Sequence, residues 1–152
     1  MFERFADAAR NVVTSGVEEA ARRGERRIGT DHLLIGALRD PGIAQLVGVD
    51  VDRARQTSDD LDRESLASVG IDLGGFTPPT SALKLRRAPF TAGSRDVMKR
   101  MLAHTVSESA KTIEPRHLMF ALLERRRPDP AYALLEALGV DREAVRQRLA
   151  AP

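Results

Sequence analysis

Residues 28–38 read IGTDHLLIGAL, and residues 113–123 read IEPRHLMFALL. Both take the form I-x-x-x-H-L-x-x-x-x-L, 85 positions apart in a chain of 152. Working outward, Phe5 to Arg39 aligns on Phe90 to Glu124 without a gap, placing Arg10 on Arg95, Val12 on Val97 and His32 on His117. After a length change, Asp40-Pro41 matches Asp129-Pro130. After another, GVDVDRARQ (48–56) matches GVDREAVRQ (139–147). Three blocks in the same order mark a duplicated unit, and a repeat decides architecture before local detail does.

Each copy reads as helices. Phe2, Phe5, Ala9, Val12, Val13, Gly16, Val17 and Ala20 recur at three- and four-residue spacing, one apolar face about five turns long. Val97, Met98, Met101, Leu102, Thr105 and Val106 repeat it, with Thr91 as N-cap. Arg23-Gly24 suits a helix stop. The quoted stretch opens a second helix, with Thr30 or Pro115 as cap or first-turn residue. Asp40-Pro41 and Asp129-Pro130 start a short third helix. Gly48-Val49-Asp50 and Gly139-Val140-Asp141 combine a glycine stop, an apolar staple and the N-cap of a fourth. The expected fold is all-α, with two four-helix repeats related by a pseudo-two-fold axis. The expected boundaries are 1–69 and 90–152, joined by a linker at 70–89 with paired glycines and prolines.

Composition agrees with this. Apolar residues make up 42%, charged residues 30%, and there are five Phe, one Tyr and no Trp, so Leu, Val, Ile and Ala must build the core. No cysteine is present, which excludes disulfides and thiolate zinc sites. MFERFADAAR carries charge from position 3 and has no apolar run of signal-peptide type, and no stretch approaches a membrane span. A cytoplasmic protein without membrane contact is expected. The 24 basic and 22 acidic residues are interspersed, giving a net charge of +2 and a solvated surface more than a polyanion-binding one.

The blocks Met1–Phe5 (MFERF), Ile28–Leu38, Gly48–Asp50 (GVD) and Pro89–Thr91 (PFT) resemble the N-terminal (Clp R) domain of Clp-type AAA+ unfoldases, the ClpC/ClpA group. The resemblance covers nearly the whole chain and is most specific in the first repeat. No G-x-x-x-x-G-K-[ST] phosphate loop occurs, so a free-standing domain without ATPase modules is expected. The resemblance implies a non-enzymatic module that binds substrates, protein degrons or adaptor proteins, in contact with a Clp unfoldase/protease complex. It implies no cofactor. An adaptor role and a decoy role are both open. It also implies recognition of phosphoarginine and of cyclic-peptide antibiotics.

Phosphoarginine pockets of this family use an acid just before the histidine of each repeat to pair with the guanidinium. That position is Asp31 here, next to Thr30, in the first repeat. In the second it is Arg116, preceded by Pro115, a cation that repels guanidinium while attracting phosphate. The cyclic-peptide groove of ClpC-like domains maps to Phe2, Phe90, Arg95, Met98 and Lys99, aromatic anchors ringed by charge.

Other chemistries are weaker. A metal between His32 and His117 needs further ligands, and the flanking acid Asp31 becomes Arg116 in the other copy. No nucleophile motif or paired-carboxylate box indicates catalysis. Asp59, Asp60, Asp62 and Glu64 read as a solvated helix face. The alternative class is a small helical nucleic-acid-binding regulator gripping phosphates through Lys84–Arg87 and Arg125–Arg127. Neither cluster has interleaved aromatics in the sequence.

Overall fold

The computed structural model describes residues 6–72, 74 and 89–151, and these form eight helices. The first four are α1 (Asp7–Arg22), α2 (Thr30–Leu38), α3 (Pro41–Val47) and α4 (Val51–Ala67). Their counterparts are α5 (Ala92–Ser107), α6 (Pro115–Leu123), α7 (Pro130–Ala137) and α8 (Arg142–Ala150). The fold is all-α, two four-helix repeats about a pseudo-two-fold axis. Phe2, Phe5 and the Lys84–Arg87 cluster lie outside the described residues.

Local chemistry sets the helix ends. Asp40 accepts from the N–H groups of Gly42 and Ile43, and Asp50 accepts from Arg53. Asp129 and Asp141 do the same for Ala131 and Ala144 in the second repeat. Gly48 and Gly139 leave the third helices with φ of 81° and 70°, the left-handed turn that glycine adopts without strain. Val49 behind the first of these stops is buried, and Val140 behind the second is packed against the core.

The second helix of each repeat is the centre of its half. Every residue of α2 except Asp31 is buried, as are His117–Met119 and Ala121–Leu123 of α6. The helix α2 packs on α1 and also touches α3, α4, α5, α6 and α7. A helix buried on all sides can carry almost no charge, which is why the IGTDHLLIGAL stretch is so apolar. The closest approach is at α1, where Gly16 and Gly36 face each other. A Cβ on Gly36 would stand 2.8 Å from Gly16 Cα and 2.8 Å from the Val12 carbonyl oxygen. The second repeat has Met101 and Ala121 at the equivalent positions, so its two helices meet through side chains.

The halves are joined by crossed contacts. Ile28 pairs with Phe90 in an isolated parallel β-bridge: the Ile28 N–H donates to Pro89 O, and the Thr91 N–H to Ile28 O, both at 3.0 Å. The pseudo-symmetric bond runs from the Ala6 N–H to Ile113 O, also 3.0 Å. Two further pairs repeat the symmetry. Helix α4 lies against α7 with Arg53 donating to Leu138 O, and α3 lies against α8 with Arg148 donating to Leu46 O. One hydrophobic cluster runs through both halves.

Departures from the periodicity are few. Val106, placed on the apolar face by its spacing, is exposed near the end of α5. Asp59 and Asp62 are not only a solvated face, since both pair with Arg23.

Glycine-to-alanine changes inside helices ordinarily stabilise by up to ~1 kcal/mol. Gly36→Ala is expected to reverse that sign, because the new methyl meets backbone that cannot turn aside. A cost of about 2–3 kcal/mol should lower the melting temperature by roughly 5–10 °C in a thermal unfolding scan.

Candidate functional site

The repeated histidine performs a structural task in both copies. His32 is the third residue of α2, and its Nδ1 accepts the Gly29 N–H at 2.8 Å. His117 Nδ1 accepts the Glu114 N–H at 2.9 Å. Each closes the start of its helix by taking up a free N–H, and at the buried Gly29 that N–H would otherwise lack any partner. Because Nδ1 accepts, the proton sits on Nε2. His117 Nε2 donates to Glu108 at 2.9 Å. His32 Nε2 is buried without a partner, since the position equivalent to Glu108 holds Arg23. Among the described residues no group of three or more His, Asp or Glu side chains converges as a metal site.

The residues flanking these histidines are engaged within the chain. Asp31, 18% exposed, faces Arg23 at 3.5 Å. Arg23 also donates to Ser58 Oγ at 2.7 Å and pairs with Asp59 and Asp62 of α4. Arg116 pairs with Glu108 at 2.5 Å and Glu114 at 2.9 Å. That hydrogen bond from Arg116 holds Glu108 below its ordinary carboxyl value. The two positions expected to differ in charge therefore do, and each has its counter-charge supplied internally. A guanidinium arriving at Asp31 must compete with Arg23.

Thr30 is drawn elsewhere. Its hydroxyl donates to Asp129 Oδ1 at 2.7 Å, across 99 residues of sequence. Asp129 also receives Arg125 at 2.9 Å, and Arg125 reaches Asp96 of α5 at 2.6 Å. This network forms one wall of an open cleft of about 630 Å³ between the starts of α2 and α5 and the α6–α7 loop. Gly29, Thr30, Thr91, Gly93 and Arg125–Pro130 line it. Gly93 packs closely there: a Cβ would stand 3.2 Å from Asp129 Oδ2 and 3.3 Å from Arg125 Nη2, so these side-chain ends would have to shift by a few tenths of an ångström. No sequence signal announced this network, because the stretch 125–128 is the length change between the two copies and has no counterpart to align with.

Beside the cleft, Phe90 is half-buried against the core, and Arg95 is exposed with Nη1 donating to Phe90 O at 2.9 Å. Lys99 is exposed on the same helix. Met98 is 3% exposed and belongs to the core, so it offers a ligand almost no surface. Phe2 lies outside the described residues. In the Arg125–Arg127 cluster, Arg125 is ion-paired as above, while Arg127 pairs with Glu136 and lies 5.5 Å from the Tyr132 ring centroid. Arg126 is exposed at the cleft.

No family model matches the chain. Its sequence is similar to the probable ATP-dependent Clp protease ATP-binding subunit of Chlamydia pneumoniae, 27% identical over 98% of this chain and 16% of that protein. The chloroplastic chaperone protein ClpC2 of Oryza sativa subsp. japonica is 30% identical over 98% and 15%. The chaperone protein ClpB of Oceanobacillus iheyensis is 29% identical over 98% and 17%. The chain thus spans about a sixth of the length of these relatives. In fold it is similar to the N-terminal domain of ClpD from Arabidopsis thaliana, with a TM-score of 0.73, 21% identity, and coverage of 98% of this chain and 96% of that one. The Hsp104 N-terminal domain of Candida albicans follows at 0.67 and 15% identity, covering 97% and 89%. Among the described residues no helix is long and apolar enough to cross a membrane.

Two buried groups give stability a defined pH dependence. Burial pushes His32 below its ordinary 6.5, outweighing the nearby Asp31 carboxylate. The unfolded chain therefore takes up this proton first, so stability is complete above pH 6.5 and is lost below it. Burial opposes ionisation of Glu19, but the two hydrogen bonds and charge of Arg55 outweigh it and hold the carboxyl below 4.5. Its contribution is present above 4.5 and lost as pH falls further. Urea unfolding at stepped pH should show decline beginning near 6.5 and a second below 4.5. His32→Asn, which keeps an acceptor for Gly29, should flatten the first segment, and Glu19→Gln should reduce the second, to which the likewise lowered Glu108 and Glu124 also contribute.

Proposed function

We propose, from a chain with the fold of Clp N-terminal domains and sequence shared with Clp proteins over 98% of its length, that it is a protein- and peptide-binding module. It takes substrates or adaptors of a Clp unfoldase system and performs no catalysis of its own. The observation that carries this is the cleft at the junction of the halves. It is a concave surface where the starts of two helices and an arginine-bearing loop meet, and the half-buried Phe90 directly precedes its lining residue Thr91. Arg126 supplies an exposed cation in its lining, and Phe90 beside it supplies the aromatic anchor.

Within that reading the finer assignments are also proposals. Phosphoarginine is taken in the first half, where Asp31 provides the acid for its guanidinium. The second half presents Arg116 and does not act as an equal site. A cyclic or extended peptide lies along Phe2, Phe90, Arg95 and Lys99. The module acts as an adaptor delivering ligands to the unfoldase or as a decoy withholding them, in the cytoplasm. The nucleic-acid alternative has less support, since Arg125 and Arg127 are already matched by acids.

Titration calorimetry with phosphoarginine should give one site. Asp31→Ala should weaken it about ten-fold or more, as expected for loss of a charge-assisted hydrogen bond. Two equal sites would contradict the inequality of the halves. Capture of an unfolded substrate protein should be lost in Phe2→Ala/Phe90→Ala with helicity retained. Capture equal to wild type would remove the groove. Steep weakening of binding with salt would favour the polyanion reading instead.

A further inference from the structure

The same pair of helices is clamped twice in this molecule, at equivalent positions and with opposite sign. In the first half Arg23, at the end of α1, faces Asp31 of α2 at 3.5 Å. In the second, Glu108, at the end of α5, faces Arg116 of α6 at 2.5 Å. Position 23 aligns with 108, and 31 with 116. About one turn away Glu19 of α1 faces Arg39, at the end of α2, at 3.7 Å. At the aligned positions His104 of α5 meets Glu124, at the end of α6. Both layers are reversed between the halves.

Crossing the helices shows what the reversal excludes. Helix α1 on α6 would set Arg23 against Arg116 and Glu19 against Glu124. Helix α5 on α2 would set Glu108 against Asp31 and His104 against Arg39. Every crossed combination loses the counter-charge supplied by the facing helix, and three of the four oppose groups of the same sign. Arg23, Asp31 and Glu19 of the first half are largely withdrawn from water, where an unmatched charge is costly. The risk of crossing is real in a duplicated chain. The apolar faces are equivalent, Val12 with Val97 and Leu33 with Leu118, and the native seam already brings α1 onto α6 and α2 onto α5. Hydrophobic matching alone does not tell the partners apart.

We propose that the sign-reversed ion pairs are a pairing code. They keep each first helix on its own second helix and prevent the two halves from exchanging helices, within one chain or with a second copy of it. Shape contributes as well, through Gly16–Gly36 against Met101–Ala121, but the charge part can be tested separately.

The test gives the second half the polarity of the first: His104→Glu, Glu108→Arg, Arg116→Asp and Glu124→Arg, with Arg100→Ser to remove the cation now paired with Glu124. Both layers of the native second half stay complementary, the contacts of His117 with Glu108 and of Arg116 with Glu114 are given up, and every crossed pair of the two layers becomes complementary. After full unfolding and refolding at high concentration, light scattering on the eluting species should show about ten-fold more dimer than the parent yields. Concentrating the native variant without unfolding should give none. Refolding to monomer in the parental proportion overturns the proposal, and so does a dimer formed from native protein. Should the full variant fail to fold, Glu108→Arg with Arg116→Asp reverses one layer and is expected to give a smaller rise in refolded dimer. Parity with the parent there overturns the proposal equally.

Discussion

The structure depends on backbone hydrogen bonds that cross between the halves. Ile28 of the first repeat is bonded to Pro89 and Thr91 at the start of the second, and Ile113 of the second is bonded to Ala6 at the start of the first. Each half therefore begins on the other. Neither Ile28 nor Ile113 touches solvent, so an unpaired amide or carbonyl there would lose its water without replacement. This accounts for the placement of the repeated motif: the isoleucine carries the crossed bond, and the histidine four residues later closes the helix that follows.

Around that crossing the two repeats solve one packing problem in two ways. The first brings α1 and α2 together until backbones nearly touch at Gly16 and Gly36, while the second keeps them apart with Met101 and Ala121. The same divergence extends to polar groups. Glu108 completes the hydrogen bonding of His117, whereas Arg23 turns toward Asp31 and α4 and leaves His32 Nε2 alone. The long α4 thus has a role beyond length, since its Ser58, Asp59 and Asp62 hold the cation that stands where the second repeat has an acid.

The cleft inherits this asymmetry. The α6–α7 loop adds arginines to one side only, and the chain of contacts from Thr30 through Asp129 and Arg125 to Asp96 ties that loop to both halves. A ligand at the cleft meets a wall fixed by the tertiary fold, with most of its arginine charge already balanced.

The sequence by itself determined the fold class, the duplication and most helix ends, because caps, glycine stops and apolar spacing act over a few residues. It also showed the reversal at Asp31 and Arg116, since alignment of the copies exposes it. Only the tertiary structure decided what those charges meet. Arg23 and Glu108 face Asp31 and Arg116 through the approach of separate helices, and Thr30 meets Asp129 from the far side of the chain. The burial of Met98 was likewise beyond sequence, because spacing places it on an apolar face without saying whether a groove or the core covers that face. Local rules set where each helix begins and ends. Partnership between side chains distant in sequence is set by packing, which a linear pattern of residues does not contain.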